Sequence, residues 1–317
     1  MIKSIDSSTA WVRTVCAGGR IVTRVVTVHG INNTYSGAHL MARDWIPALL
    51  DGVGLAGGAR LLTEDDIGCA FYGDVFRKPG RPLGGDDLGW LGPDDIDGES
   101  EAELLQSWWE AASDTDPAVV PPGTRTLGLV QGVQAALAAL SCSRFLAGTT
   151  ERLLVLWLQQ VREYFTKPDL REQIQQRLAE AVGSDTEVVV AHSLGSVVAY
   201  EALCANPRWS VRSLVTLGSP LAIRNLVLDR LTPAPQCMHG SVRGAWPAGL
   251  VSWANIADRA DFVALVKRLR PVFGDAVADV EIDNGVKMHR VERYLTAADT
   301  GSAIVSALCG GPVARDG

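Results

Sequence analysis

A serine stands where a strand-like run meets a helix-like run. Residues Val188 to Leu203 read VVVAHSLGSVVAYEAL. The apolar EVVVA stretch, 187–191, predicts a short buried strand and 196–203 predicts a helix, so Ser193 falls at the corner. A corner of this kind bends the backbone sharply and brings helix close to strand, which demands small neighbours. Ala191 and Gly195 stand two residues to either side of the serine. The chemistry implied is nucleophilic. The hydroxyl is lifted clear of a sheet, beside the first N–H groups of a helix, where negative charge is stabilised. The Leu194 N–H is then one oxyanion donor. The plainer alternative is an ordinary strand–helix turn that happens to hold a serine.

An earlier run, IVTRVVTVHG, predicts a buried strand over 20–29 that closes at His29-Gly30. Glycine lets the backbone approach a bound acyl oxygen, and the Ile31 N–H is placed to be the second donor. Asn32 and Asn33 either orient a substrate or simply make the turn. His29 reads as structural rather than catalytic. A serine hydroxyl is a poor nucleophile unless an imidazole takes its proton and a carboxylate holds that imidazole. There are five histidines: His29, His39, His192, His239 and His289. His192 adjoins the serine, so its side chain points away, beneath the corner. Asp258 and Asp261 follow a predicted strand over 251–256, and Asp279 and Asp283 come later.

Further strands are predicted at 67–72 and 211–217, and helices at 39–50, 127–145, 150–165, 168–182 and 290–308, the last broken or shifted near Gly301. Leu40, Met41, Trp45, Leu49 and Leu50 form the apolar face of the first helix, with Pro47 in its interior. Residues 281–285 end in an Asn-Gly turn. Short strands alternating with helices predict an α/β protein, a mostly parallel sheet covered on both faces. Residues 73–165 read as an insertion within one domain. From Asp86 to Glu103 it is acidic without a basic residue, which predicts a solvated loop leading into a helix, or less readily an ion site. Trp108-Trp109 is expected to pack the insertion on the body.

With these residues in place, the chain resembles the α/β-hydrolases, in particular bacterial serine lipases and esterases. VVTVHGINN resembles the family's oxyanion strand and turn, and VVVAHSLGS its nucleophile elbow with Ala in place of the first Gly. LVTLGSPL, 214–221, resembles the strand and turn after the elbow helix. WANIADRADFV, 253–263, resembles the acid segment, and GVKMHRVERYL, 285–295, the histidine loop. The resemblance implies the order Ser…Asp…His, hence Ser193, Asp261 and His289, with Asp258 the alternative acid. Gly30, Asn32 and Asn33 then lie near substrate, and the insertion serves as a cap. The activity implied is two-step hydrolysis of a carboxylic ester through an acyl-enzyme, on a small-molecule or lipid-like acyl substrate. A thioesterase or amidase would use the same groups, and a protein-interaction module with a silent site is a reading of a different class. No metal or organic cofactor is called for.

The bulk properties agree with this picture. The chain has 317 residues, 47% of them hydrophobic, and a formal charge of −7, which offers no broad electrostatic reason to bind nucleic acid. No apolar run approaches the ~18 uncharged residues of a membrane span, and the N-terminus does not resemble a signal peptide, so no stable membrane insertion is expected. Six scattered cysteines without a CxxC pair predict buried thiols and a reducing, cytoplasmic setting.

Overall fold

The computed structural model describes residues 23–77, 99–123, 129–141, 151–238, 240–285 and 288–310. In chain order, β1 (Val25–Val28), α1 (Ala38–Leu55) and β2 (Ile67–Ala70) come first. Four helices follow: α2 (Glu99–Thr115), α3 (Leu129–Ser141), α4 (Glu151–Thr166) and α5 (Pro168–Ala181). Then come β3 (Val188–His192), α6 (Leu194–Ala205), β4 (Ser213–Leu217) and the small antiparallel pair β5 (Gln236–Met238) and β6 (Ser241–Arg243). The chain continues through β7 (Ser252–Asp258), α7 (Arg270–Phe273), β8 (Val277–Ile282), α8 (Val291–Leu295) and α9 (Ala298–Cys309).

Six strands form one sheet in the order β2-β1-β3-β4-β7-β8, and every neighbouring pair is parallel. Parallel pairing needs crossovers, and here helices supply them on both faces. The two-residue period of a strand sorts the core. Val188 and Val190 pack with Trp45 and Leu49 of α1 and Ile304 of α9, whereas Val189 and Ala191 pack with Leu178 of α5 and Val197 of α6. The connection after β1 leads to β2 on one side and the connection after β3 leads to β4 on the other, so the two diverge. A crevice opens at such a reversal beyond the carboxyl ends of the strands. Val28 pairs with Ala191, which sets the segments after β1 and β3 side by side.

α5 packs on β2 and α6 and makes the crossover to β3, which leaves α2, α3 and α4 as the inserted part. α2 and α4 are clamped together by a buried Glu101 paired with Arg162 at 2.8 Å. Trp108 fixes α2 to the body, its indole N–H donating to the Phe262 carbonyl at 3.3 Å. Trp109 instead bonds the Val120 carbonyl inside the insertion.

Several expectations are corrected. Leu40 is 47% exposed, because the core-facing stripe of α1 runs through Met41, Trp45, Ala48, Leu49, Gly52 and Val53. The helix continues through Pro47 to Leu55. The C-terminal helix breaks at 296–297, and Gly301 lies inside α9. β8 and the β5–β6 pair were not anticipated. The acidic run leads into a helix as expected, since 99–103 begins α2, but Glu101 is buried rather than solvated; residues 86–98 lie outside the described ones. Cys69 and Cys204 are partly buried and Cys237 and Cys309 exposed, all four as free thiols; Cys16 and Cys142 lie outside the described residues. Among the described residues, no helix is long and apolar enough to cross a membrane.

Candidate active site

Ser193 sits between β3 and α6 with φ 54° and ψ −128°, a left-handed setting that a non-glycine residue adopts only when its surroundings impose it. The surroundings do so from three sides. The Ser193 N–H donates to the Leu217 carbonyl at 3.0 Å, and its carbonyl accepts the Ser196 hydroxyl at 2.6 Å. That hydroxyl also lies 2.7 Å from the Ser219 hydroxyl, joining the elbow to the turn after β4. Gly195 lets α6 close on β1, since a Cβ there would stand 2.3 Å from the His29 carbonyl oxygen. Gly30 lies against the serine itself, where a Cβ would meet the Ser193 Cβ at 2.5 Å. The small-residue reading of the corner therefore holds for Gly195, and Gly30 is pressed as closely from the β1 side.

The acid loop follows β7. Asp261 is wholly buried, and its Oδ1 accepts the N–H groups of Val263 and Ala264 at 2.8 and 3.4 Å. Its Oδ2 accepts the His289 Nδ1–H at 2.7 Å and the Tyr294 hydroxyl at 2.6 Å. Burial alone would raise this carboxyl. The adjacent His289 imidazole and its hydrogen bond, the Lys267 ammonium and the Tyr294 hydroxyl outweigh it and hold Asp261 at about 2. The loop is braced from beneath. Asn255 Nδ2 donates to the Lys267 carbonyl and to Asp279 Oδ1, both at 2.9 Å, and Asp279 accepts the N–H groups of Leu269 and Arg270.

Gly218, directly after β4, is the hinge between the two halves. Its φ is +55°, and a Cβ there would lie 2.6 Å from Asp261 Oδ2 and 3.2 Å from His289 Nδ1. Because Leu217 holds the Ser193 N–H, one short segment touches the serine and the Asp–His pair in turn. Ser193 Oγ and His289 Nε2 are both buried and, among the described residues, without a hydrogen-bond partner. These are the two atoms that a proton relay would join.

The third side is the turn after β1. The Tyr72 N–H donates to His29 Nε2 at 3.0 Å, so the proton sits on Nδ1 and goes to the Gly30 carbonyl at 2.6 Å. Burial pushes His29 down to about 4, against that hydrogen bond, and keeps it neutral. The Gly30 carbonyl and the Ile31 N–H belong to one planar peptide and point in opposite directions, so fixing the carbonyl fixes the N–H. The N–H groups of Ile31 and Leu194 make no hydrogen bond among the described residues. Gln160 of α4 reaches across, its Oε1 accepting the Asn32 N–H at 3.3 Å and its Nε2 donating to Thr34 Oγ1 at 2.8 Å. The inserted helices thus touch the site twice, at this turn and at Phe262 beside Asp261.

Of the residues singled out in the sequence, Asp261 and His289 are hydrogen-bonded to each other, Gly30 lies against Ser193, and the Leu217–Gly218 segment touches both sets. Asp258 is one turn of loop away and does another job: its Oδ1 accepts the Ala260 N–H at 2.7 Å and its Oδ2 the Asn284 N–H, tying the histidine loop to β7. Burial raises its carboxyl. Asn33 spends its amide on the Ile31 carbonyl at 3.1 Å, which is turn chemistry, and Asn32 is exposed with φ 65°. His192 packs its ring 4.6 Å from that of His289 and donates from Nε2 to the His289 carbonyl at 3.2 Å. Burial, and then the neighbouring His289, keep it well below the usual histidine range. Gly218, Gln160 and Tyr294 escaped sequence reasoning; only the Gly-Ser-Pro turn after β4 hinted at the first. No group of His, Cys, Asp and Glu among the described residues is arranged to hold a metal ion. Scans of the chain against protein-family models and against curated proteins return no match.

Proposed function

We propose that the chain is a serine hydrolase of the α/β-hydrolase type that cleaves carboxylic esters through an acyl-enzyme on Ser193. The observation that carries this reading is that Leu217 and Gly218 in turn touch a strained Ser193 and an Asp261–His289 pair, with the buried Ser193 hydroxyl and His289 Nε2 both unpartnered among the described residues. The strand order, the elbow after β3 and the reversal of connectivity between β1 and β3 support the fold assignment. His289 takes the Ser193 proton as the oxygen attacks the ester carbonyl. Asp261 holds the Nδ1 proton and stabilises the imidazolium. The N–H groups of Leu194 and Ile31 carry the oxyanion. The imidazolium then protonates the leaving alcohol, and water, activated by His289, releases the acid and restores the serine. The contacts of α2 and α4 with the acid loop and the oxyanion turn support a cap that shapes the acyl pocket.

A fluorophosphonate probe tests the reading. The parent protein is expected to be labelled at one residue, with the adduct mapped by mass spectrometry to Ser193 and absent in Ser193→Ala. A folded parent that takes no label, or takes it elsewhere, would falsify the assignment. Matched ester, thioester and amide substrates sharing one acyl group then fix the leaving-group class.

A further inference from the structure

Tyr294 is wholly buried on α8, and its hydroxyl bridges two groups. It accepts the Asp258 N–H at 2.8 Å and donates to Asp261 Oδ2 at 2.6 Å. A phenol has one proton, and that proton is committed to the carboxylate. The same Oδ2 accepts the His289 Nδ1–H at 2.7 Å, so two donors share one oxygen. Each donor draws charge from the carboxylate. The less charge remains on Oδ2, the less the carboxylate favours an imidazolium beside it. Tyr294 follows His289 by five residues, so the helix that ends the histidine loop delivers the group that modulates it.

We infer that Tyr294 is a positioning residue which, through the oxygen it shares with His289 on Asp261, sets how readily His289 takes a proton. The inference rests on the hydrolase reading, in which His289 is the general base. Other ionisable groups face the pair from the surrounding elements. Asp258 ends β7, Lys267 binds the Asp261 carbonyl at 2.6 Å, and His192 at the end of β3 packs on the His289 ring. Among the described residues, the hydrogen bonds on Oδ2 are those of His289 and Tyr294.

Tyr294→Phe removes the donor and keeps the ring. The His289 titration midpoint, followed by its ring-proton NMR resonances without substrate, is expected to move up by about half a unit to one unit. The acid limb of the kcat/KM profile on a p-nitrophenyl ester moves with it. Turnover below the midpoint falls by up to about tenfold, and the high-pH plateau stays within about threefold. In an Asp261→Asn background the shift disappears, because the shared oxygen is lost. Difluorotyrosine placed at 294 keeps both hydrogen bonds and is a stronger donor; it moves the midpoint down, and it reports even where the Phe variant misfolds. A midpoint unmoved by either change, with or without a loss of plateau rate, overturns the inference and leaves Tyr294 a packing residue. A shifted midpoint in a protein that neither turns over esters nor takes the phosphonate sinks the hydrolase reading instead, with the tuning of His289 intact.

Discussion

At Ser193 the backbone holds a conformation worth roughly 1–3 kcal/mol of strain, and the residues around it are chosen to sustain that strain rather than relieve it. Gly30 and Gly218 carry no side chain where any Cβ would collide with the serine or with the Asp–His pair. The two aspartates after β7 show how position decides role. Both are buried, yet Asp261 reaches the imidazole while Asp258 closes the loop onto Asn284 and Ala260. Asp261→Asn leaves an amide where His289 needs an anion, and is expected to lower kcat by about four orders of magnitude. Asp258→Asn is expected to cost less than about tenfold in kcat, with its effect showing in thermal stability. Steady-state kinetics and melting curves on both variants decide this, and the reverse ranking would reassign the acid.

At the scale of elements, the site is assembled from the ends of β1, β3, β4 and β7 and the start of α8, and then held by α4 from outside. Gln160 of α4 grips the turn after β1 through Asn32 and Thr34. Gln160→Leu keeps the volume and removes both bonds. It is expected to lower kcat about tenfold with KM changed less than twofold, since a misplaced Ile31 N–H fails the transition state more than the bound ester. A KM effect without a kcat effect would make Gln160 a substrate contact instead. The elbow itself was legible in AHSLGS because strand, turn and helix signals are all local there. β8 was not, because Asp279 and Glu281 interrupt its apolar pattern; Asp279 is retained for the N–H groups of Leu269 and Arg270.

For the whole molecule, the buried neutral histidines couple the site to acid stability. His29 takes a proton near pH 6.5 when unfolded but resists it down to about 4 when folded. The unfolded state therefore gains protons first, and stability falls as pH drops from 6.5 towards 4. His192 acts in the same sense. Asp261 adds a contribution of the same sign at lower pH: its stabilisation is full above pH 3.8 and is lost as pH falls towards about 2. His29→Asn retains a donor near the Nδ1 position and abolishes the titration. Urea unfolding at pH 7 and pH 4.5 is expected to show a difference smaller by about 2–3 kcal/mol in the variant than in the parent, whatever constant offset the change introduces. Equal differences would show that His29 takes its proton in the fold as readily as in the unfolded chain.

The sequence by itself determined the alternation of strands and helices, the turn that carries Ser193 with Gly195 two residues on, and the turn at Gly30, because hydrophobic period and turn chemistry act over a few neighbouring residues. The nomination of Asp261 and His289 came from order along the chain and from resemblance. Only the tertiary structure decided that Asp261, rather than Asp258, meets the imidazole, that Gly218 separates the two halves, and that Gln160 and Tyr294 belong to the site at all. These depend on contacts between segments up to 128 residues apart, set by sheet register and by the packing of an insertion. No local signal in the chain encodes them, because burial and hydrogen-bond partners are properties of the assembled fold.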